Sequence, residues 1–113
     1  MRLFMTILSL LLTMAFFGSC AGTVPLSGRA HVQWAEKKWN GTSLGDLAKG
    51  RQLYITRCSG CHSLSAPDRY SEREWKDILT RMAPKAKVGH EDEELIMKYL
   101  VTQSQVRIAE GAD

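Results

Sequence analysis

The chain has 113 residues, a formal net charge of +3 and 44% apolar residues. That length admits one small domain and excludes a multidomain enzyme. Fifteen basic residues against twelve acidic ones are too even a balance to mark a nucleic-acid binder.

Arg2 is followed by an apolar run over residues 3–17 that Gly18 and Ser19 close. Charge, apolar run and small residues in that order are the features of a secretory signal. The run falls short of the roughly 20 residues of a bilayer-spanning helix. Residues 1–19 are therefore expected to be a signal peptide, and the domain to be exported to the periplasmic side. Phe17-Gly18-Ser19-Cys20 resembles a bacterial lipobox, with Phe17 where such boxes usually carry Leu. The resemblance implies that Cys20 is acylated and ties a lipoprotein to the membrane; ordinary cleavage after Ala21 is the alternative. The small and polar residues Ala21, Gly22, Thr23, Pro25, Ser27 and Gly28 make residues 20–30 read as a flexible tether, leaving 31–113 as the domain.

A short helix is expected over residues 31–39, with Val32, Ala35 and Trp39 on one side and Asn40-Gly41 ending it. Ser43 and Asp46 together supply a capping pair for a second helix running to about Arg57, with Leu47, Tyr54 and Cys58 on one face. A loop over residues 63–70, containing Pro67, leads to Ser71-Glu72-Arg73-Glu74, the S-x-x-E capping box. Trp75, Ile78, Leu79 and Met82 follow as a single apolar stripe, and Pro84 then frees the chain. Glu91, Asp92, Glu93 and Glu94 open a last helix, where the positive end of the helix dipole favours them. Leu95, Ile96, Tyr99 and Leu100 are its expected buried face. No β pattern or repeat interrupts this series, so the fold class is all-α.

Cys58-Ser59-Gly60-Cys61-His62 is C-x-x-C-H, the attachment sequence of c-type haem. Two thiols at this spacing can add to the two vinyl groups on one porphyrin edge, and the adjacent His62 is carried beneath the ring to bind iron. A thioredoxin-like pair would follow a strand and start a helix, and zinc would require further ligands at metal spacing. Export also suits haem c, which is attached outside the cytoplasmic membrane.

The sixth iron ligand is expected to be Met82, 20 residues after His62 at the end of its apolar stripe. His31, His90 and Met97 are the alternatives. Met97 lies about 130° from the centre of the Leu95, Ile96, Tyr99, Leu100 face, toward solvent. The two histidines read more simply as surface or capping residues.

From Gly50 onward, the order Gly50, Leu53-Tyr54, Cys58-Ser59-Gly60-Cys61-His62, Pro67, Trp75, Met82, Tyr99-Leu100 resembles a small bacterial monohaem cytochrome c of the class I type. It is also similar to the haem domains attached to quinohaemoprotein amine dehydrogenases. The resemblance implies a helix at Gly50 to Tyr54 crossing the last helix at Tyr99 and Leu100, with Gly50 permitting the close approach. It implies one covalent haem c around which the helices wrap. It also implies a carbonyl of the Ala66-Pro67 loop as the acceptor for the His62 ring N–H. Tyr54, Pro67, Tyr70, Trp75 and Leu79 are the candidate pocket residues.

With His62 and Met82 both bound, iron has no place for a substrate, so the expected function is single-electron carriage rather than enzymatic turnover. The alternatives are the haem subunit of a larger dehydrogenase, or a ligand-binding or peroxidatic haem protein in which Arg81 or His90 serves an open site. Arg81, Lys85 and Lys87, near the expected methionine edge, suit an acidic redox partner protein.

Overall fold

The computed structural model describes Met1 and residues 24–112. The expected signal peptide and Cys20 lie outside the described residues. Four α-helices are present among the described residues, with no strand: α1 (Arg29–Lys38), α2 (Leu44–Cys58), α3 (Glu72–Met82) and α4 (His90–Gly111). A 3-10 turn, Pro67–Arg69, lies between α2 and α3. None of these helices is long and apolar enough to cross a membrane.

Both serine caps form. Ser43 Oγ accepts from Asp46 N–H at 3.1 Å, and the Asp46 carboxylate accepts from Ser43 N–H at 2.8 Å. Ser71 and Glu74 repeat the exchange at the start of α3, at 3.4 and 2.8 Å. Each box satisfies two N–H groups that a helix start leaves without intrahelical partners. The serine hydrogen bonds hold both carboxyls below the usual carboxylate range. Between α1 and α2 the chain turns at Gly41, whose φ of +83° a side chain would oppose.

α4 is the axis of the fold and packs against α1, α2, α3 and the 3-10 turn. Its expected face is buried at Ile96, Tyr99 and Leu100, with Leu95 half-buried. Burial then runs without a break from Tyr99 to Ser104 and includes Thr102 and Gln103. A helix enclosed on every side loses its amphipathic stripe, which is why periodicity pointed to only part of the buried surface.

The crossing of α2 and α4 is set by Gly50. A methyl group there would stand 2.9 Å from Tyr99 Cβ and 2.7 Å from the Leu95 carbonyl carbon, closer still to its oxygen. Only a residue without Cβ lets the two backbones meet at this depth. The crossing implied by the cytochrome resemblance, Gly50 to Tyr54 against Tyr99 and Leu100, is the one found.

The expected tether to residue 30 is corrected from Val24 onward. Val24 is buried in the core, and its carbonyl accepts from Arg51 Nε at 3.0 Å. Tyr99 Oη donates to the Pro25 carbonyl at 2.6 Å, and Gln103 Nε2 donates to Ser27 Oγ at 2.9 Å. Three hydrogen bonds and a buried side chain make this segment part of the domain.

The chain after Pro84 is likewise not free. Pro84 lacks the N–H that would continue α3, yet Ala86 N–H still reaches the Met82 carbonyl at 2.9 Å. The turn closes with Val88 N–H on the Ala83 carbonyl and Lys87 N–H on the Pro84 carbonyl, with Lys87 left-handed at φ +55°. This is the double hydrogen bond of a Schellman ending, with lysine where glycine is usual. Met82 thus stands on a closed turn.

Candidate functional site

The five expected pocket residues come together. Tyr54, Trp75 and Leu79 belong to the main buried cluster, with Leu53, Ile96, Tyr99 and Leu100. Pro67 is buried, and Tyr70 packs half-buried on the cluster. The Trp75 ring meets Tyr54 edge to face at 6.0 Å and Tyr70 at 5.0 Å, a geometry that aromatic quadrupoles favour. Trp75 Nε1 donates to the Pro67 carbonyl at 2.7 Å, and Tyr54 Oη to the Ser65 carbonyl at 2.8 Å. Burial outweighs that second bond and pushes the Tyr54 phenol up to about 12. These two bonds pin the loop over residues 63–67 to α2 and α3, directly after the cysteine motif.

Cys58 is the last residue of α2 and packs, half-buried, against the same cluster; Cys61 is exposed in the turn that follows. Both thiols are free. Burial first, and the neighbouring Cys61 second, push the Cys58 thiol up. Thiol-redox pairs work the other way, with a helix N-terminus lowering the thiol pKa. A cysteine that ends a helix and resists ionisation is poorly suited to disulfide exchange.

His62 is exposed, and its Nδ1 lies 2.8 Å from the Ser63 carbonyl. A carbonyl only accepts, so Nδ1 carries the hydrogen and Nε2 keeps the lone pair that a metal would use. The acceptor expected from the resemblance, in the Ala66-Pro67 loop, is corrected to the Ser63 carbonyl, one residue along from His62, while the Pro67 carbonyl accepts from the Trp75 indole. Among the described residues no three His, Cys, Asp or Glu side chains converge as a metal site.

Met82, the last residue of α3, is half-buried. Its three rivals are placed differently. His31 Nδ1 accepts from Gly28 N–H at 3.1 Å and caps α1, as the capping reading expected. Met97 is corrected from solvent-facing to half-buried, because neighbouring helices cover more of α4 than its apolar stripe implied. His90 and Met97 line a groove of about 480 Å³ with Trp39, Glu72, Lys76 and Thr80, and none of Cys58, Cys61 and His62 lines it. Glu72, Lys76 and Thr80 form one stripe of α3; Trp75, Ile78, Leu79 and Met82 lie roughly 110° around the helix. Met82 is therefore on the α3 face that carries the aromatic cluster, and His90 and Met97 border another.

The sequence reading missed Ser65, whose carbonyl anchors Tyr54, and Ile55, Leu64 and Val88, which pack around the cluster half-buried. Ile55 lies three residues before Cys58 and Leu64 three after Cys61, a signal within reach of the sequence. Nothing in the sequence pairs Tyr54 with Ser65. Comparison of the chain with protein-family models, curated proteins and solved structures finds no match in any of the three.

Proposed function

We propose that the chain is an exported monohaem c-type cytochrome that carries single electrons, held to the membrane by a lipid on Cys20. The observation that carries this reading is the C-x-x-C-H sequence at the C-terminal end of α2, with both thiols free and Cys58 against an aromatic cluster. Cys58 and Cys61 would hold haem through thioethers, and His62 Nε2 and the Met82 sulfur would ligate its iron. Bound in this way, haem supplies one-electron exchange between Fe(II) and Fe(III), and a thioether ligand favours the reduced state.

The chain's own groups suit that role. The Ser63 carbonyl holds the His62 tautomer and ring orientation. The Trp75–Pro67 and Tyr54–Ser65 bonds stiffen the loop after the motif, and Tyr54, Trp75 and Leu79 keep water from its apolar side. The closed turn at residues 83–88 holds Met82 in place, so that little reorganisation accompanies electron transfer. No side chain in this arrangement acts on an organic substrate. Donor and acceptor are redox partner proteins, and the domain serves equally as the haem subunit of a larger dehydrogenase complex.

The absorption spectrum tests the reading. Haem should stay with the chain through acid extraction. The oxidised protein should show the weak long-wavelength band of methionine sulfur on ferric iron, and Met82→Ala should abolish it. A high-spin ferric spectrum that shifts on adding cyanide or azide would overturn the electron-carrier assignment in favour of an open, ligand-binding site. Absence of bound haem from protein made with the attachment machinery present would overturn the whole reading.

A further inference from the structure

We propose that the domain lies directly on the bilayer in a restricted orientation, with Leu26 and Arg29 against the headgroups. The inference rests on the lipidated reading of Cys20, and adds to it a surface and a geometry. Residues 24–27 run along α4. Tyr99 and Gln103, which hold Pro25 and Ser27, are four residues apart, about 6 Å of helix rise. Two residues of extended chain can span about 7 Å, enough to keep pace with the helix. Val24 is buried in the core, while Leu26, two residues on, is 74% exposed.

The chain between Cys20 and the domain is consequently short. From Cys20 to Val24 there are four Cα steps, at most about 14 Å when fully stretched. The headgroup layer of one leaflet takes up about 6 Å of that, leaving roughly 8 Å of clearance. A domain of this size has a radius of gyration of about 13 Å, so it cannot tumble on such a leash. A tether free to residue 30 would behave differently. Its ten steps average about 18 Å as a flexible coil and reach about 35 Å when stretched, enough for free rotation.

The surface beside the exit point suits a lipid partner. Leu26 is one of the few large apolar side chains exposed among the described residues, and Arg29, three residues on, is also exposed. An apolar side chain for the acyl boundary beside a cation for lipid phosphate is the pairing of interfacial anchors.

The test uses the full-length lipidated holoprotein on supported bilayers containing phosphatidylglycerol, with the density profile read by neutron reflectometry and acylation read from the mass of the N-terminal peptide. The expected profile has protein density beginning within about 8 Å of the headgroups. Inserting about ten Gly/Ser residues between Thr23 and Val24 lengthens the leash from four steps to about fourteen and should move the mean protein layer outward by about 10 Å and broaden it. Leu26→Asp combined with Arg29→Glu should move it outward by less, since the leash is unchanged. Protein density standing away from the headgroups in the wild type would overturn the docked orientation, and identical profiles for the wild type and the insertion would overturn the short leash as its cause, while an acylated mass leaves the lipid reading standing. A mass without acyl chains overturns both.

Discussion

Replacing Gly50 with alanine puts a methyl group into the backbone of α4. The new carbon would lie 2.7 Å from the Leu95 carbonyl carbon and 2.9 Å from Tyr99 Cβ, whereas comfortable carbon contacts are about 3.5–4.0 Å. A carbonyl cannot rotate out of the way as a side-chain tip does, so α2 and α4 must separate by about 1 Å. Overpacking of this kind costs about 1–3 kcal/mol, and an obstructing backbone places Gly50 at the upper end. Alanine returns about 1 kcal/mol of helix propensity, leaving a net loss of about 2 kcal/mol. For a domain of this size that lowers Tm by about 8–16 °C. Gly45, in the first turn of the same helix, is the control: a methyl there meets only Ser43 Oγ at 3.5 Å. Gly45→Ala should gain about 0.5 kcal/mol from propensity alone. Urea unfolding of both variants, followed by far-UV circular dichroism, should thus shift in opposite directions. Gly50→Ala as stable as the wild type would refute the close crossing.

Thr102 is fully buried in α4, and its hydroxyl finds no hydrogen-bond partner among the described residues. Thr102→Val keeps the shape and removes the penalty, so the urea midpoint should rise by the equivalent of about 1 kcal/mol; a fall would show that the hydroxyl is paired. Lys87→Gly relieves a left-handed lysine and should stabilise by about 0.5–1 kcal/mol in thermal melts, while a loss would mean that the side chain matters more than the backbone. Asp46 and Glu74 have depressed pKa values, so their capping contribution is fully present above the ordinary carboxylate value of about 4 and fades as pH falls through the lower folded value. The wild type should therefore lose stability on acidification more steeply than the Asp46→Asn, Glu74→Gln double variant, and parallel acid profiles would remove the caps as the cause.

What could be read from the sequence was what depends on neighbours a few residues apart. Ser43 with Asp46 and Ser71 with Glu74 are exchanges over three residues, and both start the helices that their pattern announced. The stripe of Trp75, Leu79 and Met82 follows from the helical period, and C-x-x-C-H is a local spacing. Gly50 could also be placed, because the resemblance already paired it with Tyr99.

The tertiary structure alone decided the contacts made across long stretches of chain. Tyr99 holds Pro25 and Gln103 holds Ser27 across more than 70 residues, turning an expected tether into part of the domain. The same enclosure buries the polar Thr102, Gln103 and Ser104 and half-buries Met97. The fold also gives the Pro67 oxygen to the Trp75 indole, eight residues away, while the imidazole of His62 faces the adjacent Ser63 carbonyl. Local spacing singled out Cys58, Cys61 and His62 as candidates for haem attachment. What those residues pack against depends on chain far away in sequence that reaches the same face of α4, and only folding brings it there.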